Sequence, residues 1–188
     1  MSALLVLAIA LCLIFAAGVW RVRQRSALRT AEHAWRPDAL RNATIAYAEQ
    51  KFFTKQPFPL VAKIDRAYRT ADRLVLTELK RRSKCRFFPS DVVELSAQKL
   101  AIERSTSEQV GAQAYVVVED PQTLARTPIA VTLLGEQAIV GLARRHAQVM
   151  KGSAVAQKAN VLALCRACTY ADRCRPEVLR GGRTEKLR

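Results

Sequence analysis

The chain has 188 residues, with 31 Lys and Arg against 16 Asp and Glu, for a net charge of +15. That length points to one domain and not two, and so positive a field attracts polyanions, nucleic acid or anionic lipid heads. The cysteines, Cys12, Cys85, Cys165, Cys168 and Cys174, are odd in number, which argues against a disulfide framework.

Met1 to Trp20 carries no charged side chain, and the run Ala3–Trp20 is 18 residues long. At 1.5 Å per residue it reaches about 27 Å, against a hydrocarbon core of about 30 Å. Residues 1–21 are therefore expected to form one transmembrane helix, with Cys12 inside it and Trp20 at headgroup depth. Arg21, Arg23, Arg25 and Arg29 follow at once. Basic residues mark the cytoplasmic flank, so the expectation is a single-pass protein with its N-terminus outside and its domain in the cytoplasm. A cleaved signal peptide would carry its positive charge ahead of the apolar run, where only Met1 and Ser2 stand.

Residues 22–39 read as a basic juxtamembrane segment and 40–188 as the domain. Helix is expected from Arg23 to about Phe53, since Leu40, Ala43 and Tyr47 recur at helical spacing and Pro37-Asp38 offers a start. Leu60–Asp65 and Leu74–Leu79 are β-rich runs separated by the turn-like Thr70–Arg73, a hairpin. Asp91–Arg104 reads as a helix, Ala114–Val118 and Ile129–Leu134 as strands, and Glu136 to about Lys151 as a last helix. The order α-β-β-α-β-β-α gives an α/β fold, a mixed sheet flanked by helices.

Chemistry concentrates on the hairpin. Glu78 and Lys80 lie on one face of a strand. A two-residue loop at Ala71-Asp72 would set Asp65 opposite Glu78, with Cβ atoms about 5 Å apart. Two carboxylates so close repel unless a cation sits between them, and Mg²⁺ or Mn²⁺ is the natural filling. Lys80, one pleat on, is placed to orient a water, an assembly suited to phosphodiester hydrolysis by metal-activated water. Arg66, Arg69, Arg81, Arg82, Lys84 and Arg86 surround the hairpin end and are candidates for binding a nucleic-acid backbone. Tyr68, Phe87 and Phe88 are candidates for stacking on unpaired bases.

The segments Val61–Arg66, Leu74–Arg82 and Asp91–Gln98 together resemble the PD-(D/E)XK nuclease superfamily. The likeness is closest to the RecB-like exonuclease branch that includes CRISPR-associated nucleases with a cysteine-bound cluster. The resemblance covers roughly residues 40 to 176 and implies a restriction-endonuclease-like core of order α-β-β-β-α-β. It assigns Asp65 and Glu78 as metal ligands, joined by the Leu79 backbone carbonyl, and Lys80 as the catalytic lysine. It matches Glu49 to the acid of the family's first helix and Gln98 to the glutamine of the following helix. Ile102 stands where that family carries a tyrosine. The implied activity is metal-dependent DNA cleavage; the alternative is a non-catalytic, membrane-bound module that binds nucleic acid or a protein partner.

The spacing Cys165-x2-Cys168-x5-Cys174, within a segment of about 160–176, is that of a metal site, zinc or iron–sulfur. The resemblance implies a 4Fe–4S cluster, completed in that branch by a cysteine ahead of the first helix. No cysteine stands there in this chain, and His33 and Cys85 are the candidates for the fourth ligand.

Overall fold

A computed structural model describes residues 13, 15–21, 34–157, 164, 165, 168, 169 and 171. Most of the apolar run Ala3–Trp20 lies outside them. Its described residues are helical, and among the described residues no helix is long and apolar enough to cross a membrane. The chain divides into two compact units, Met1–Gly141 and Leu142–Arg188.

The first unit is a mixed α/β fold. Its strands are β1 (Thr44–Thr54), β2 (Leu60–Arg69), β3 (Leu74–Arg81), β4 (Gln113–Glu119) and β5 (Arg126–Thr132), and its full helix is α1 (Pro89–Ser105). A second helix, α2 (Glu136–Met150), begins in this unit and runs into the next. The five strands form one sheet in chain order. Every neighbouring pair is antiparallel except β3 and β4, which are parallel and joined through α1. A parallel pair needs such a crossover, because a tight turn cannot return the chain to the same end of the sheet.

One expectation is overturned. Thr44–Thr54 is a strand, not the end of a helix beginning at Arg23. Its Thr44, Ile45, Tyr47, Phe52, Phe53 and Thr54 are β-branched or aromatic residues that fit a pleated surface better than a helix. Pro37-Asp38 does start a helical turn, but only the 3-10 turn Asp38–Leu40, which buries Leu40. Residues 22–33 lie outside the described residues.

The hairpin is borne out. Thr70 N–H donates to the Arg73 carbonyl at 2.9 Å, and Arg69 pairs with Leu74 and Arg66 with Thr77, the register of a loop at Ala71-Asp72. Both sheet faces are covered. Against α1 lie Phe52, Ile64, Leu76, Val116 and Val118 with Leu95 and Ile102; the opposite face buries Trp35, Leu40, Tyr68 and Val117. Asp91 anchors the start of α1. Its carboxylate accepts both guanidinium nitrogens of Arg82 at 2.7 Å and the Phe88 N–H at 2.8 Å.

In the second unit, Cys165 is buried and shares a turn with Cys168, whose N–H donates to the Cys165 carbonyl at 3.2 Å.

Candidate metal and nucleic-acid site

The site grows out of the point where β2 leaves β3. Their ladder stops at Arg66 and Thr77. One residue further, the Asp65 side chain takes over from the backbone, its Oδ2 accepting the Leu79 N–H at 2.8 Å. The carboxylate is thereby held against the strand that carries Glu78 and Lys80. On the neighbouring strand Glu49 takes a left-handed backbone, φ 52°, and its carboxylate pairs with Lys63. Glu49 thus reaches the vicinity from a strand, not from the first helix to which the resemblance matched it. Glu49, Asp65, Arg66, Leu79 and Arg126 all line one cavity of about 60 Å³.

Glu78 points to the α1 side and is nearly enclosed, its side chain 7% exposed. Lys80 Nζ donates to its Oε1 at 2.8 Å and Gln98 Nε2 to its Oε2 at 2.8 Å. Burial raises the Glu78 pKa; the Lys80 and Gln98 hydrogen bonds work against the shift, and the charges of Asp65 and Glu94 add to it. Lys80 Nζ also donates to Glu94 Oε2 at 2.7 Å. Burial alone would lower the Lys80 pKa, but the two carboxylates outweigh it and the net direction is up. Lys80 is therefore an ammonium at neutral pH.

Gln98 joins helix to sheet: besides Glu78, its Nε2 donates to the Lys63 carbonyl at 3.2 Å. Its Oε1 is buried and has no hydrogen-bond partner among the described residues. Glu94 escaped the sequence reading, although a signal was available. Glu94 and Gln98 are four apart on one helix and therefore share a face.

Does this arrangement suit a divalent cation? Among the described residues no three His, Cys, Asp or Glu side chains gather closely enough to hold a metal. The donors at hand are two carboxylates and a backbone carbonyl, all hard oxygen. Mg²⁺ commonly takes one or two carboxylates and fills its remaining positions with water and phosphate oxygens. The orphaned Gln98 Oε1 beside Glu78 is an acceptor suited to such a water. The residues fit the group.

The basic residues divide. Arg66 lines the cavity and Lys84 is exposed. Arg69 pairs with Glu108, and Arg81 donates to the Pro121 carbonyl at 3.1 Å. Arg82 is engaged by the almost fully buried Asp91, so the structure gives it a fold-holding role where the sequence suggested a backbone contact. Arg82 and Arg86 each lie 4.6 Å from the Phe88 ring centre. Tyr68 is fully buried, edge-on to Trp35, and is not available for stacking on a base. Phe87 remains 43% exposed.

Of the cluster candidates, Cys85 is exposed on the loop after β3. His33 and Cys174 lie outside the described residues.

The Glu78 environment carries a stability consequence. A carboxyl whose pKa is raised by folding contributes stability that is present below the ordinary glutamate value of about 4.3 and is lost as pH rises through the folded value. Glu78→Gln is thus expected to melt higher than the natural chain at neutral pH in chelator, by about 1 kcal/mol or roughly 2–4 °C. The difference should close near pH 4, and added Mg²⁺ should raise the melting temperature of the natural chain alone. Thermal melts across this range check it; a natural chain that gains stability through Glu78 as pH rises would refute it.

No family model matches the chain, and no curated protein matches it in sequence. A solved structure titled "Crystal structure of SSO0001" is similar to it at 13% identity, over 85% of this chain and 68% of that one, with a TM-score of 0.49.

Proposed function

We propose that this chain is a metal-dependent DNA nuclease of the PD-(D/E)XK superfamily, RecB-like branch, tethered to the membrane by its N-terminal apolar segment with the domain in the cytoplasm. The observation that carries the reading is one constellation. The Asp65 carboxylate is latched to Leu79, the enclosed Glu78 lies beside it, and Lys80 and Gln98 each hold one oxygen of Glu78. The strand order supports it too. Three antiparallel strands, a crossover helix and a parallel strand follow one another, as in the restriction-endonuclease-like core the resemblance implies.

In this reading Asp65, Glu78 and the Leu79 carbonyl hold Mg²⁺ or Mn²⁺. When bound, the cation polarises the scissile phosphate and acidifies an attacking water. Lys80, kept protonated by Glu78 and Glu94, stabilises the negative charge that develops on the phosphate oxygens and is not available as a base. Gln98 fixes the Glu78 carboxylate in one rotamer. Arg66 and the exposed Lys84 meet the DNA backbone, with a salt-dependent contribution to affinity.

The test is cleavage of labelled single- and double-stranded DNA by the full chain in detergent with Mg²⁺ or Mn²⁺, beside Lys80→Ala and Glu78→Ala. Metal-dependent cutting lost in both variants establishes the reaction and its site. A second reading, a non-catalytic module that binds nucleic acid or a protein partner, draws on the way Lys80 is closed between Glu78 and Glu94. Salt-sensitive DNA binding with no metal-dependent cleavage would select it.

Cys165, Cys168 and Cys174 are proposed to hold a 4Fe–4S cluster, with zinc as the alternative occupant. Chain purified without oxygen is expected to be brown, with broad visible absorbance that Cys168→Ala removes. A colourless, iron-free protein would end the cluster assignment, and zinc found in it would replace iron.

A further inference from the structure

The outer face of the β1–β2 hairpin carries a pattern that the chemistry above does not use. Phe53 and Val61 are direct cross-strand partners and remain 53% and 64% exposed. Next along the same face, Lys51 stands opposite Lys63, and beyond them come Glu49, in contact with Lys63, and Asp65. Residues two apart on a strand share a face, so the surface runs from an apolar pair through a lysine pair to an acid pair over about 13 Å.

Taken alone, this face is unfavourable. Like charges directly opposite repel. Glu49 compensates Lys63, whereas Lys51 makes no ion pair among the described residues. β1 is also an edge of the sheet. Lysines guard an edge against stray pairing, but an exposed Phe beside an exposed Val invites it. Edge protection therefore does not account for the pattern. An aromatic ring beside cations at strand spacing, continuous with an acid site, does match what an unpaired nucleic-acid strand needs: a face to stack a base on and charges to meet its phosphates.

We propose that this face is a track for single-stranded nucleic acid, with a base stacked on Phe53 and phosphates on Lys51 and Lys63. Its delivery of the strand toward Asp65 and Glu78 rests on the nuclease reading; its binding does not.

The experiment uses the full chain in detergent micelles with chelator, so that binding is read without cleavage. Fluorescence anisotropy is followed with a labelled oligothymidylate and with a labelled blunt duplex. Phe53→Ala is expected to weaken the oligothymidylate about tenfold, the lower part of the range for loss of one stacked base, and to leave duplex affinity unchanged. Lys51→Glu should lower the salt slope for the single strand by at least about 0.7, one phosphate contact. Both side chains are exposed, and melting curves matching the natural chain confirm that the variants fold. Unchanged oligothymidylate affinity in Phe53→Ala, or an equal loss on the duplex, overturns the track. So does Phe53-dependent binding to phosphatidylcholine–phosphatidylserine vesicles without oligonucleotide binding, which would make the face a membrane contact. A parallel cleavage assay with Mg²⁺ separates the two readings. Cleavage with unchanged Phe53→Ala affinity removes the track and keeps the nuclease; Phe53-dependent binding with no cleavage removes the nuclease and keeps the track as a binding surface.

Discussion

Lys80→Ala is expected to reduce metal-dependent DNA cleavage by about 10²–10³-fold, the cost of removing one preorganised charge from a developing anion. Glu78→Ala and Asp65→Ala should fall at least as far, because each removes a proposed metal ligand. The three need not be additive, since they act as one unit. Glu94 separates the role of Lys80 from mere packing. Glu94→Gln removes one of the two carboxylates that keep Lys80 protonated, while leaving the Glu78 contact in place. It should therefore cost little at neutral pH and move the alkaline limb of the rate profile downward. The acid limb follows Glu78, which must ionise to hold a cation. Because burial raises its pKa in the metal-free protein, cation affinity should fall as pH is lowered well before an ordinary glutamate, near 4.3, would protonate. Rates across pH at several Mg²⁺ concentrations measure both limbs. A Lys80→Ala chain that cuts at the natural rate would remove Lys80 from the chemistry.

Asp91→Ala is the largest stability change expected in the described part of the fold, about 3–5 kcal/mol, or roughly 6–20 °C in melting temperature. Asp91 is almost fully buried and does two jobs: it accepts both nitrogens of Arg82 and caps the Phe88 N–H at the start of α1. Truncating it leaves a guanidinium, only 21% exposed, without its carboxylate. The pKa of Asp91 lies below the ordinary aspartate value, chiefly through the Arg82 hydrogen bonds. The sign is then the reverse of that for Glu78. The stability it confers is present above about pH 3.9 and disappears as pH falls through the folded value. Replacing the pair together, Arg82→Met with Asp91→Leu, should recover much of the loss, because an apolar pair of similar volume has no buried charge to satisfy. Denaturant titrations of the two singles and the double read the coupling directly. A loss below about 1 kcal/mol in Asp91→Ala would place the pair among ordinary surface contacts.

What local chemistry could decide was readable from the chain. The Thr70–Arg73 turn sets the β2–β3 register, since a two-residue loop leaves no freedom in which residues face each other. That register carries Asp65 to the end of the ladder beside Glu78–Lys80, where it meets the Leu79 N–H, and alternation puts Lys80 on the same face as Glu78, so the members of the candidate site follow from residue order. The apolar run Ala114–Val118 and the segments that form α1, β5 and α2 were legible from their own residue types, most clearly in the one-sided apolar spacing of α2. β1 was not. Leu40, Ala43 and Tyr47 mimic a helical stripe, while the sheet that makes Thr44–Thr54 a strand is built by β2, whose partner choice is not encoded within β1. Tertiary structure also decided the fates of the charges. Asp91 returns to Arg82 only because α1 packs beside the end of β3, and this turned an expected DNA contact into a buried ion pair. Likewise Glu94 meets Lys80, and Gln98 meets Glu78, only where helix and strand face each other. Spacing along a chain reveals which side chains share a face, whereas which face lies opposite is set by the packing that buries the core.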